Sequence, residues 1–231
     1  MEKDIVYHAL KDSMTGGACP ICAQTEANIR GTMRSVLYES MTDVDIRDTI
    51  KSARGFCRHH SNLFLEQGDA LNHAIVYGDA LRSALQDVVN GDYKYYEERE
   101  SCYFCDMAKE AEDAYIRACW EAFHDEEFFS AYEKGGLLCM VHLHAMESAS
   151  EKEKNGEEAY LKVAQTTVNK YQVMIKELDE IIRKSDYRNL KEEWTDGEKT
   201  AWKRAVSVIH DRVGIPRGAK KAAKRRLFGR K

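Results

Sequence analysis

Proline is almost missing from this chain: Pro20 and Pro216 are the only two among 231 residues. A sequence so poor in helix breakers, and rich in Ala, Glu, Lys, Leu and Arg, is expected to be all-α. No apolar run approaches the roughly 20 residues that cross a bilayer, so no transmembrane segment is expected. The opening "MEKDIVYHAL" lacks the basic-then-apolar pattern of a secretory leader. Also missing are a glycine-rich phosphate loop, a G-x-S-x-G elbow and any Ser/His/Asp arrangement. No catalytic set is therefore assigned, and the chain reads as non-catalytic. These absences point to the cytoplasm, where disulfides rarely persist and clustered cysteines bind metal or do chemistry.

Charge is unevenly spread. The last sixteen residues, "PRGAKKAAKRRLFGRK", hold eight Lys or Arg and no acid. The preceding 215 residues keep 27 bases against 39 acids, a net charge of −12. Such a tail suits phosphates of nucleic acid or an anionic membrane surface, or is simply a disordered, solubilising end.

What the chain does have is an internal repeat. Cys19, Cys22, Cys57 and His60 form C-x2-C, a gap of 34 residues, then C-x2-H. Cys102, Cys105, Cys139 and His142 form the same pattern with a gap of 33, at offsets of 83, 83, 82 and 82. Two accidents of this kind do not coincide, and the chain is a duplication. The single-residue difference falls between residues 40 and 43, where a helix-helix turn is expected. "MTDVDIRDTI" and "FHDEEFFSAY" read as short helices capped by Asp43 and Asp125. A long amphipathic helix follows each C-x2-H. Its stripe in the first repeat is Leu71, Ala74, Gly78, Leu81, Leu85 and Val88. In the second it is Leu161, Ala164, Val168, Tyr171, Ile175, Leu178 and Ile182. Both stripes read as core-facing seams in preference to a dimerising coiled coil. A last helix is expected over about 197–213 with Trp202, Ala205, Val206 and Ile209 inward. The expected organisation is a first repeat over 1–90, a second over 91–190, a C-terminal helix within 191–215 and the tail over 216–231.

Three thiols and one imidazole per repeat suit tetrahedral zinc, two ions per chain. Ligands three apart in the first turn of a helix share a face, and the dipole there favours thiolate. The expected arrangement joins C-x2-C and C-x2-H of the same repeat on one ion. Of the neighbouring histidines, only His60 and His142 match each other in the repeat; His59 aligns with Val141 and His144 with Asn62. Four protein ligands leave no open position, so the sites read as structural. Disulfides, a redox dithiol and an iron–sulfur cluster are the lesser readings. Glu121 and His124 spell the E-x-x-H of di-iron bundles, but the repeat places Tyr38 where a second glutamate is needed. Cys119, the odd thiol, reads as a buried free cysteine.

The segments "YHALKDSMTGGACPIC", "ARGFCRHHSNLF", "SCYFC", "GLLCMVHLHAM" and "IIRKSDYRN…AWKRAVSVIHDRVG" together resemble an uncharacterised family of small prokaryotic proteins, a domain of unknown function. The resemblance spans roughly residues 6–214. It implies a helical fold and the eight Cys and His ligands, and it implies no activity. The tail lies outside it. The expected function is a zinc-binding adaptor scaffold for a protein partner. A thiol-based sensor that releases zinc on oxidation, and nucleic-acid association through residues 216–231, are the alternatives.

Overall fold

The computed structural model describes residues 3–15, 17–41, 43–91 and 101–209. The expected tail over 216–231 lies outside them. Among the described residues there is no strand, and the order of elements repeats as the spacing predicts. A short helix α1 (Ile5–Asp12) precedes the first set: α2 (Pro20–Ser35), a π-helical turn (Val36–Ser40), α3 (Val44–Ser52), α4 (Arg58–Gln67) and α5 (Ala70–Val89). The second set is α6 (Tyr103–Ala122), α7 (Glu126–Lys134), α8 (Met140–Ser150) and α9 (Gly156–Lys184), followed by α10 (Asp196–Ile209).

Local chemistry sets the boundaries. Asp43 accepts from the backbone N–H groups of Asp45 and Ile46, and Asp125 from that of Phe128, so both expected caps form. Gly68, at φ 72°, ends α4 in the left-handed conformation, and Asp69 at once caps α5. Thr195 and Glu198 exchange bonds at the start of α10. The Thr195 N–H donates to the carboxylate at 3.0 Å, and the Glu198 N–H donates to the hydroxyl at 3.3 Å. The extra residue of the first repeat has a structural home too. A π-helical turn absorbs one inserted residue without breaking the helix, and it lies at Val36–Ser40, just before the expected turn.

The chain forms two compact units, and they do not follow the repeats. One is built from residues 3–24 and 112–209, the other from 25–91 and 101–111. The chain passes from one unit to the other within α2 and again within α6.

In the first unit α1 packs on α7: the Tyr7 ring lies 5.3 Å from Phe128, and its hydroxyl donates to Asp125 at 2.7 Å. Helix α9 is covered by α8 and by α10, around Leu137, Met174, Ala201 and Val208. Lys184 closes the far end by donating to the Glu198 carboxylate at 2.8 and 2.9 Å and to the Glu193 carbonyl at 2.9 Å. In the second unit Phe56 sits 5.2 Å from Phe64 and 5.0 Å from Phe104, and Ile29, Met33 and Leu63 are buried in the same unit.

The amphipathic stripes are met only in part: Ala164, Tyr171 and Leu178 on α9 and Ala205 on α10 face the core as expected, and most of the other positions turn away. On α9 the buried positions are Tyr160, Val163, Ala164, Thr167 and Met174, while Ile175 and Ile182 are exposed. On α10 Ala201 and Val208 point inward, and Trp202, Val206 and Ile209 point out. The largest departure is α5, where Leu71, Leu81 and Leu85 are 70%, 69% and 63% exposed. Its inward face is Asn72, Val76 and Ala80. Polar partners fix that rotation: Asn72 donates to the Leu37 carbonyl at 3.1 Å, Tyr77 donates to Ser61 at 2.7 Å, and His73 stacks on Phe64 at 3.8 Å. Leucine periodicity marks a stripe, whereas these contacts decide which side faces the core.

Two glycines give opposite expectations for one added methyl group. A Cβ at Gly156, at the α8–α9 corner, would stand 2.1 Å from the Ser150 carbonyl oxygen, whereas one at Gly31 in α2 meets nothing within 4 Å. Gly156→Ala is expected to lower stability by about 1–3 kcal/mol. Gly31→Ala is expected to raise it by about 0.5–1 kcal/mol. Urea unfolding midpoints of the two variants read the difference; shifts of the same sign would contradict it.

Candidate metal centres

All eight expected ligands come together, in two groups of four whose donor atoms lie within 4.8 Å of one another. The partners are not those expected. Cys19 and Cys22 meet Cys139 and His142, and Cys57 and His60 meet Cys102 and Cys105. Each group takes its C-x2-C from one repeat and its C-x2-H from the other, so the expected convergence within a repeat is corrected. Helix lengths supply the reason. From Pro20 through the π-helical turn the first repeat runs about 30 Å, more than twice the length of nine-residue α3. The second repeat does the same with α6 and α7. The C-x2-H of each repeat thus falls in the other compact unit from its own C-x2-C.

In the first centre the chain is held by backbone bonds just before each knuckle. Gly17 N–H donates to Gly135 O at 3.1 Å and Leu137 N–H to Ala18 O at 3.2 Å, which sets Cys19 beside Cys139. Behind them Tyr171 donates to the Leu138 carbonyl at 2.6 Å, and Lys170 donates to the carbonyls of Tyr132 and Gly136. His142 Nδ1 lies 3.3, 3.3 and 3.1 Å from the sulfurs of Cys19, Cys22 and Cys139, and the sulfurs of Cys22 and Cys139 are 3.7 Å apart. In the second centre His60 Nδ1 lies 3.3, 3.6 and 3.5 Å from those of Cys57, Cys102 and Cys105, with Cys57 and Cys105 3.6 Å apart. Metal–sulfur bonds of about 2.3 Å and metal–nitrogen bonds of about 2.0–2.1 Å give tetrahedral edges of about 3.5–3.8 Å. The sulfur–sulfur edges match, the nitrogen edges are equal or slightly short, and all seven cysteines are free thiols. The donor set fits a thiophilic, tetrahedral dication.

Electrostatics within each group follow from crowding. Thiol hydrogen bonds to Cys139 and to Cys57 push those two thiols well down. Burial pushes Cys19 up, and hydrogen bonding to neighbouring thiols pushes Cys22 and Cys105 up. Burial works against a charged imidazole at His60, but the bonds to Cys102 and Cys57 outweigh it and carry His60 up to about 9. His142 is likewise raised against its burial by Cys139, Cys22 and Glu112. These opposed shifts share one cause, four titratable donors crowded into one buried group, and a dication bound there would favour the deprotonated donors.

The remaining residues singled out by sequence sit elsewhere. His144 is exposed and pairs with Glu147 at 3.2 Å, and His59 packs against the His60 ring. His124 faces the Trp120 carbonyl and Glu153, with no second E-x-x-H beside it. Cys119 is fully buried, and burial pushes its thiol up. One residue was missed: Glu112, almost fully buried, accepts from His142 Nε2 at 2.9 Å. It lies seven residues, two helical turns, after Cys105 on α6, and that spacing was its available signal.

Among the described residues no helix is long and apolar enough to cross a membrane. No solved structure matches the chain significantly. An uncharacterised 23.9 kDa protein from the xynA 3′ region of Caldicellulosiruptor sp. (strain Rt8B.4) is 30% identical over 197 residues, covering 83% of this chain and 94% of that protein. The model of a family of unknown function, DUF6062, matches twice, over residues 1–94 and 83–214. With both repeats matched, the chain belongs to the DUF6062 family.

Proposed function

We propose that the chain binds two zinc ions, one in each Cys3His group, and acts as a non-catalytic scaffold in the reducing cytoplasm. The observation that carries this reading is that every group supplies four converging protein donors, and seven of the eight ligand residues are buried. A zinc ion held this way keeps no position for water or substrate. Free thiols throughout fit a reducing compartment. The exposed leucines of α5 offer an apolar face for a protein partner. The alternative reading through the basic tail concerns residues outside those described.

Cobalt substitution tests the closed character of the sites. The cobalt-loaded chain should show the intense visible bands of tetrahedral thiolate ligation, unchanged by added azide or imidazole. A spectrum that shifts with either small ligand would reveal an open position and overturn the structural reading.

A further inference from the structure

The two centres are built from equivalent residues but supported unequally. In the first, His142 presents Nδ1 to the three sulfurs and Nε2 to the Glu112 carboxylate at 2.9 Å, with both side chains buried. A carboxylate behind a ligating imidazole fixes the tautomer that leaves Nδ1 free for the metal, holds the ring plane and raises the basicity of the ligand. In the second, His60 is as deeply buried, yet its Nε2 has no hydrogen-bond partner among the described residues. The sequence explains the difference. Glu112 follows Cys105 by seven residues, and the residue seven after Cys22, at the repeat offset of 83, is Ile29. Ile29 is buried and offers no acceptor. Access differs in the same direction. Cys19, Cys22 and Cys139 are all buried, whereas Cys57 is partly open to solvent.

We infer that the chain holds its two ions unequally: Glu112, as a positioning residue, makes the Cys19/Cys22/Cys139/His142 centre the permanent one, and the Cys57/His60/Cys102/Cys105 centre is where metal exchanges. This rests on the metal-binding reading above and adds to it a division of labour between the centres. A buried imidazole N–H without an acceptor loses its bonds to water and gains nothing in return, so the ligand arrangement at His60 is less firmly held. An entering chelator or thiol also has an edge to attack at Cys57 that the other centre does not offer.

The test is release of zinc from the fully loaded, full-length chain to a chromophoric chelator such as 4-(2-pyridylazo)resorcinol. The native chain should give two phases of equal amplitude. Glu112→Ala should speed the slow phase by about 10–100-fold, the usual effect of losing a carboxylate behind a ligating histidine, and leave the fast phase alone. Glu112→Gln, which keeps an oxygen acceptor without the charge, should fall between them. Circular dichroism of the loaded variants should match the native chain, which separates positioning from folding. If Glu112→Ala fails to fold, the Gln variant and the two native phases still decide. A single phase releasing both ions, a slow phase indifferent to residue 112, or an equal acceleration of both phases would overturn the inference. A chain that carries no metal would instead sink the metal-binding reading itself.

Discussion

Cut once between residues 91 and 101, the chain is expected to remain one particle carrying two ions. Each centre takes two ligands from before the cut and two from after it. The protein contacts agree. Tyr7 bonds Asp125, Lys3 pairs with Glu127 at 2.6 Å, and Gly17 and Ala18 bond to Gly135 and Leu137. The exposed ion pair adds little, but a structural zinc site contributes on the order of 10 kcal/mol or more, and both sites bridge the cut. A specific protease site placed in the connector, followed by size-exclusion chromatography, reads the outcome. The fragments should elute together and separate when a strong chelator is added. Centres confined to single repeats would release two fragments with one ion each. The reciprocity is that of an isologous pair, in which the first half-site of each copy meets the second half-site of the other.

Loss of one ligand is expected to unfold the unit that holds it. Cys139→Ser leaves three donors around the first centre and removes a contribution of about 10 kcal/mol, comparable with the whole stability of a domain at about 5–15 kcal/mol. Helicity should fall by the share of that unit, α1, α7, α8, α9 and α10 with the adjoining parts of α2 and α6, while the second ion stays bound. Cys19→Ser should do the same. Because both residues belong to one four-donor group, combining them should add almost nothing, the non-additivity expected of residues that act as a unit. Cys102→Ser should spare the first ion and remove the second.

Much of this was legible before the coordinates. Two prolines and the helix-favouring composition predicted an all-helical chain, and the doubled Cys/His spacing predicted which eight side chains would cluster. His60 and His142 were separable from His59 and His144 by repeat alignment alone. The pairing expected within each repeat is the wrong one, because spacing within C-x2-C or C-x2-H says only that two donors belong together. The two half-sites of one repeat are chemically interchangeable with those of the other, and only helix length distinguishes them. Twenty-one residues from Pro20 to Ser40 against nine in α3 held that information. The rotation of α5 was hidden for another reason: Asn72, His73 and Tyr77 choose its inward face through partners distant in sequence. Glu112 was hidden because a glutamate on a helix carries no mark until its partner, His142, is brought to it.

Which half-sites share an ion is the centre of this account, and a metal count on two double variants tests it. Elemental analysis of the purified Cys19→Ser/Cys139→Ser chain should find one zinc per chain, since both changes fall on the same ion. The Cys19→Ser/Cys57→Ser chain should hold none, since each change strikes a different ion. The reverse result, none in the first variant and one in the second, would place each ion within a single repeat and contradict the account.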